Sequence, residues 1–417
     1  MVKDFKGIIQ NKRFLYLWSS QIFSQVTIHI INFSLLIRLF NTTGSSIATS
    51  LLWVTYALPA IIIGPFSAVL VDIFDRKKTL MITNLLQSLV IFLFALFHQP
   101  HFFLLYGAVI IYSLLNQFYV PAELASLPSL VKKVNLSFAN SLFFLTQQFA
   151  IVLGFGSAGI LINILGFSNT LFLSSVLLFL AFVSVSFLPS ISFDNHFPKS
   201  FDKLLVKFFK DIFEGYKFIK SKRDILLPFS MLIIFQTGLY VVMVNVPAIA
   251  RDIFHINVEL SGISIVAPAG IGAAMGALIV PSMLKREIRK KKIIETSMLI
   301  MIISFYFATF FLSFLPSFLR LYAGILLVII LGFSYVGMLI PSQTYLQEVT
   351  PTDFRGRVFG NYWFVVTVVT VLPVIFSGAI TDILGVRSLF FVIASVILSM
   401  FITSKKRGGN LLIKNSR

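Results

Sequence analysis

Four polar side chains interrupt the first long apolar stretch of this chain: Gln21, Gln25, His29 and Asn32. Their spacings of four, four and three residues put them on one face of a helix. Two glutamines, an asparagine and an imidazole offer donors and acceptors and, in His29, a group that titrates near neutral pH. Such a face can recognise the polar part of a ligand or move a proton. It can equally serve as a polar contact between packed helices. Similar groups recur as Asn116 and Gln117, Gln147 and Gln148, Gln236 and Tyr240 (four residues apart), Asn245, and Tyr362 with Trp363. Hydrolytic, nucleotide and metal chemistry have no counterpart. There is no cysteine, the five histidines lack ligand spacing, and no Walker lysine loop, H-E-x-x-H or G-x-S-x-G occurs. The sequence therefore implies no enzyme, no cofactor and no metal.

The elements that carry these residues follow from composition. Of 417 residues, 57% are hydrophobic and 12% charged, and mean hydropathy is +0.93. Soluble domains carry about 25% charged residues, so this chain needs lipid as its solvent. The net charge of +18 does not point to nucleic acid, because the basic residues sit in short blocks between apolar runs. A bilayer-crossing helix needs roughly 20 apolar residues. Twelve such runs fall near 14–38, 47–71, 79–97, 102–121, 137–163, 168–189, 225–249, 258–283, 293–314, 319–340, 358–381 and 386–403. Basic residues before the first run imitate a signal peptide, but the run is too long and lacks a small-residue cleavage site. The expected class is an all-α membrane protein of about 12 transmembrane helices. Of 34 Lys and Arg, 30 fall in alternate connections, and the rest are Arg38, Arg251, Arg320 and Arg387. The positive-inside rule then places both termini in the cytoplasm and the protein in the plasma (inner) membrane. All sixteen Asp and Glu read as loop or span-end residues, with Glu123, Glu259 and Glu295 at the border. That leaves His29 as the one ionisable group in the middle of a span.

The longest polar break separates residues 1–189 from 225–417, with a linker at 190–224. In it Phe201, Leu204, Leu205, Phe208, Ile212, Phe213, Tyr216 and Ile219 repeat as one helical face against lysines, the pattern of an amphipathic helix on the cytoplasmic leaflet. The flanking segments look duplicated. Gly64 precedes Arg76, Lys77 and Lys78; Gly276 precedes Arg289, Lys290 and Lys291. Pro121, read as a span end, precedes Asn140, as Pro341 precedes Asn361. Two six-helix pseudo-repeats of this kind are common in secondary transporters, with the substrate site near the midplane. Gly154, Gly156 and Gly159 in span 5, and Gly270, Gly272 and Gly276 in span 8, allow close helix crossing.

The stretch Gly64 to Leu80, GPFSAVLVDIFDRKKTL, resembles the loop 2–3 signature of the major facilitator superfamily and is similar to its macrolide-efflux and enterobactin-exporter branch. PAELASLPSLV, EGYKFIKSKRDIL and QEVTPTDFRGRVFG resemble the same branch. The resemblance implies a conformational latch of Gly64, Asp72, Asp75, Arg76, Arg355 and Arg357, with Asp75 and Arg76 pairing across the loops with Arg357, Arg355 or Glu348. Ile73 stands where the family pattern has Arg, and Ile28 where many relatives carry an Asp, so simple carboxylate-relay coupling is not expected. The implied function is proton-linked efflux of an amphipathic small molecule, macrolide-like or siderophore, by alternating access in a monomer. Partners are the lipid bilayer, that substrate and protons. Substrate-contact candidates are Gln21, Gln25, His29, Asn32, Asn116, Gln236, Tyr240, Asn245 and Trp363. A lipid or lysophospholipid transporter of the same fold, or a non-transporting membrane receptor or assembly factor, is the alternative.

Overall fold

The computed structural model describes residues 10–71, 74–97, 103–132, 135–190 and 201–407. Helices form nearly all of it. In chain order they are α1 Lys12–Thr43, α2 Ser46–Ile62, α3 Gly64–Val71, α4 Arg76–Phe97, α5 Phe103–Leu130, α6 Leu136–Leu165, α7 Phe167–Ser186, α8 Phe201–Ser221 and α9 Arg223–Val244. There follow α10 Val246–Phe254 and α11 Val258–Lys285. The last four are α12 Lys290–Phe310, α13 Ser317–Val349, α14 Thr352–Leu384 and α15 Val386–Arg407. Among the described residues 10 helices are long and apolar enough to cross a membrane, and 11 if α9 and α10 count as one bent span. The remaining expected span, near 47–71, is divided between α2 and α3.

Both irregular spans break at identifiable residues. Pro59 lies inside α2, and Pro65 follows Gly64 at the start of α3; the missing amide hydrogens weaken the ladder on either side of Ile63. The segments α9 and α10 meet at 60°. Pro247 sits just past that bend, and the Asn245 side chain fills in by donating to the Val241 carbonyl at 2.8 Å.

Pro121 and Pro341 correct the sequence expectation: neither ends its helix. α5 continues through Pro121 and Pro128 to Leu130, and α13 through Pro341 to Val349. Membrane helices tolerate proline where neighbouring groups and side-chain hydroxyls satisfy the freed backbone.

The chain packs as two compact units, one of Met1–Thr42 and Leu52–Phe208, the other of Thr43–Leu51 and Phe209–Arg417. The same pairings recur in each. In the first unit α4 packs on α5 and α7, α3 on α5, and α6 on α7. In the second α12 packs on α13 and α15, α11 on α13, and α14 on α15. That correspondence is the six-plus-six duplication in three dimensions. Each unit also has an apolar core, built on Phe14, Leu17, Leu80, Tyr119 and Leu127 in one and on Ile225, Phe229, Leu232, Val358 and Tyr362 in the other. Large apolar side chains such as Phe103, Leu278, Phe314, Phe318 and Ile383 are exposed, which hydrocarbon tolerates and water would not.

Close helix crossings rest on glycine. A Cβ at Gly272 would overlap the Ile329 carbonyl, and one at Gly332 the Ala269 carbonyl, so α11 and α13 lock face to face through two reciprocal glycines. Gly276 lies on the same seam, where a Cβ would come within 3.0 Å of the Phe333 oxygen and of Val336. Gly272→Ala should therefore destabilise the purified protein by about 1–3 kcal/mol, the usual cost of overpacking. Gly107→Ala, where a Cβ meets nothing within 4 Å, should be neutral or slightly stabilising. Thermal unfolding in detergent checks the pair, and equal melting temperatures for both variants would contradict the packing.

Candidate functional site

The polar face of α1 does not act as one unit. Gln21 is buried, and its Nε2 donates to the Phe143 carbonyl at 3.2 Å, which makes it a tie between α1 and α6. Gln25, His29 and Asn32 are half-buried. His29 stands where α1 crosses α6: a Cβ at Gly154 would overlap the His29 Cβ, and the imidazole lies 5.5 Å from the Phe155 ring. Gly154 is thus the glycine that lets this crossing form. Gly159 is buried and Gly156 half-buried on the same helix. Asn116 donates to the Tyr56 hydroxyl at 3.1 Å, and Ser113, one turn earlier, donates to the Tyr56 carbonyl at 2.6 Å, tying α5 to α2.

The second unit gathers a denser group. Gln236 on α9 accepts from the Tyr335 hydroxyl of α13 at 2.8 Å. Tyr240, one turn along α9, interacts with the same glutamine. Tyr362 of α14 is buried, and its hydroxyl has no hydrogen-bond partner among the described residues. Trp363, exposed at 54%, meets the Tyr362 ring edge-on at 5.1 Å. Thr237 and Thr370 share a hydrogen bond of 2.9 Å beside them. Three helices thereby converge on one glutamine and three phenols. Asn245 stands apart: it is fully buried and donates to Ser377 at 2.9 Å as well as to Val241. Tyr335 escaped the sequence reading because its partner is on another helix, and helical periodicity reports only neighbours on the same one. Glu123 escaped for a different reason, since Pro121 made it read as a residue past the span. It is buried at 2% exposure within α5.

The four signature segments come together in pairs, each inside one unit. In the first, Arg76 at the start of α4 donates to the Ala125 carbonyl at 2.6 Å, joining the Gly64–Leu80 stretch to PAELASLPSLV. A Cβ at Gly64 would lie 3.6 Å from Gln117, an ordinary contact. Asp75 caps α4 by accepting from the Lys78 amide at 3.2 Å. Asp72 lies outside the described residues.

In the second unit the end of α8 docks on the start of α14, joining EGYKFIKSKRDIL to QEVTPTDFRGRVFG. Arg357 pairs with Glu214 at 2.8 Å, Phe218 stacks on Phe354 at 4.3 Å, and Gly215 makes room for Asn361. Arg355 donates to the carbonyls of Gln347 and Thr350, at 3.1 and 3.2 Å, and so holds the α13–α14 turn. Glu348 pairs with Lys290 at 2.6 Å. Within the first unit Arg76 binds a backbone carbonyl, and within the second Arg357 and Glu348 pair with Glu214 and Lys290.

One further carboxylate is engaged on a helix end. Asp382 accepts from the Ser45 hydroxyl and Ser46 amide, both at 2.6 Å, and from the Ile47 amide at 3.0 Å. It caps the first turn of α2 from a residue far away in sequence, where amide donors are otherwise unpaired.

The Arg357–Glu214 pair is well exposed on both sides. A double-mutant cycle of Arg357→Ala and Glu214→Ala should give a coupling of about 0–1 kcal/mol, as for other surface pairs. It should shrink in high salt, and a coupling insensitive to salt would contradict a solvent-exposed contact.

Comparison with known proteins agrees with this architecture. The family model described as Major Facilitator Superfamily matches residues 17–373. Macrolide efflux protein A of Streptococcus pyogenes is 22% identical over 407 residues, 94% of each chain. The multidrug efflux pump Tap of Mycolicibacterium fortuitum is 24% identical over 366 residues, 84% of this chain and 85% of that one. Among solved structures the nucleoside transporter NupG superposes with a TM-score of 0.72 at 13% identity, covering 94% of this chain and 98% of that one. A bacterial homologue of the iron transporter ferroportin, in its inward-facing state, gives 0.71 at 14% identity, covering 96% and 98%.

Proposed function

Because the chain belongs to the Major Facilitator Superfamily, we propose that this membrane transporter exports an amphipathic small molecule by alternating access, driven by protons. The macrolide and multidrug efflux pumps among its relatives support that cargo class. The observation that carries the proposal is the group of Gln236, Tyr240, Tyr335 and Tyr362. It offers neutral donors and acceptors with aromatic faces and no charged side chain of its own. Such a surface recognises ether, carbonyl and hydroxyl oxygens on a largely apolar body and gives no counter-charge to a small anion. Trp363 adds an aromatic face beside Tyr362; in the first unit, Gln25, His29 and Asn32 of α1 remain separate candidates for substrate contact. We place the protein in the plasma membrane as a monomer, with both termini in the cytoplasm.

Energised cells lacking their own pumps should accumulate less labelled macrolide when they make this protein. Collapsing the proton gradient should abolish the difference. Tyr335→Phe removes one hydroxyl from the group and should raise the half-saturating macrolide concentration about 2- to 10-fold, the worth of one hydrogen bond. Equal drug accumulation with and without the protein, across macrolides and dyes, would end the cargo assignment. The chain has no cysteine, so a single cysteine introduced as Lys210→Cys reports orientation directly. It should react with a membrane-impermeant maleimide only after the cells are opened, and labelling of intact cells would reverse the topology.

A further inference from the structure

We propose that Glu123 is the side chain on which this transporter binds and releases its coupling proton. The inference rests on the transporter reading above and gives it a residue in the first unit, apart from the tyrosine group of the second.

Among the described residues Glu123 is the one Asp, Glu, Lys, Arg or His side chain that is fully buried, at 2% exposure. Described residues of several helices surround it. The Tyr119 hydroxyl, one turn earlier on α5 and itself fully buried, donates to Glu123 Oε1 at 2.7 Å. The hydroxyls of Ser20 and Ser24 on α1 lie within reach of that phenol, and Asn84 of α4 donates to Ser20 at 3.2 Å. Tyr119 and Ala122, on the same stretch of α5, belong to an apolar cluster with Phe14 and Leu17 of α1, Val71 of α3, Leu80 of α4 and Phe143 of α6. On the same stretch of α5, Arg76 donates to the Ala125 carbonyl at 2.6 Å and lies 3.5 Å from the Ser129 hydroxyl. Glu123 forms no ion pair with any described residue, and its polar neighbour is the neutral phenol.

A carboxylate taken out of water costs several kcal/mol unless a cation compensates it, and a charge within a membrane bundle marks function by default. Among the described residues no cation compensates Glu123. Burial and negative charge at Glu123 therefore belong to different arrangements of the surrounding helices. The arrangement described here suits the carboxylic acid, which can also donate. The carboxylate requires water at Oε1 and Oε2, hence an opening of the α1–α4–α5 seam. The carboxylate takes up one proton from water on one side of the membrane before the seam closes, and the acid releases that proton to water on the other side when the seam next opens there. The proton balance of the cycle is then one per Glu123. The seam itself is polar enough to admit water, with Ser20, Ser24, Asn84 and Gln87 buried along it and bonded across its helices.

Infrared difference spectroscopy of the purified full chain in liposomes, between acidic and alkaline buffer, reads the proton directly. The wild type should show a carboxylic-acid carbonyl band that is lost in Glu123→Gln and shifted in Tyr119→Phe, which removes the donor. In the transport arm, liposomes receive labelled macrolide and an imposed pH gradient. Glu123→Gln should lose gradient-driven accumulation yet keep exchange of labelled for unlabelled macrolide, a step with no net proton movement. Glu123→Asp should restore accumulation at least in part, which separates the missing carboxyl from a folding defect. A band unchanged by Glu123→Gln, or accumulation by that variant equal to wild type, overturns the proposal. If the wild type moves no macrolide, the cargo reading fails, and the infrared arm still decides Glu123.

Discussion

Hydrocarbon offers no hydrogen bonds, and that constraint orders everything else in this molecule. Each polar group within the spans must find a partner on the same chain or accept the cost of being unpaired. The solution here is a set of short hydroxyl ties between neighbouring helices. Ser88 and Ser175 each donate to the other's carbonyl at 2.9 Å, joining α4 to α7. Ser19 and Ser184 meet at 2.7 Å between α1 and α7. In the other unit Thr237 meets Thr370, and Asn245 meets Ser377. Small residues let backbones approach while their hydroxyls satisfy the seam, so the same positions provide both packing and polarity. A larger polar side chain with a buried atom left unpaired stands out against this background, as the hydroxyls of Tyr112 and Tyr362 do.

What the sequence made legible follows from the same constraint. Apolar length located most spans, because the requirement for about 20 apolar residues leaves little freedom. Glycine-rich spans were read as close crossings, and the structure gives Gly154, Gly272 and Gly276 partners that no side chain larger than glycine would allow without movement. The two proline expectations failed together. Pro121 and Pro341 read as stops, since proline ends helices in water, but both lie inside helices here. That one error hid Glu123, which the sequence reading placed past the end of span 4. Pairings between helices were the least legible feature. Nothing in the spacing of Gln236 points to Tyr335, and nothing in Asp382 points to the first turn of α2.

His29 illustrates how little periodicity alone decides. Its place on the face of Gln21, Gln25 and Asn32 is correct as geometry, yet the face divides on packing. Gln21 is spent on a carbonyl of α6, and His29 abuts Gly154 and Phe155. The imidazole is half-buried, so packing and chemistry remain compatible at that position. Glu123 has a stronger geometric claim to proton chemistry, because its burial and its charge cannot coexist without a change in its surroundings.

The duplication conserves positions while varying the chemistry at them. At the start of α4, Arg76 reaches the end of α5; at the start of α12, Lys290 reaches the end of α13. The first tie ends on a backbone carbonyl at Ala125 and the second on the side chain of Glu348. A backbone acceptor is present whatever residue occupies position 125, so no substitution of that side chain deletes it. Glu348 is half exposed and carries a charge, so its tie can be screened by salt or removed by one substitution. The two units thus hold equivalent helices together with bonds of different permanence. The weaker of the two adjoins the turn that Arg355 braces and the surface where α8 docks, which makes that end of the second unit the more adjustable one.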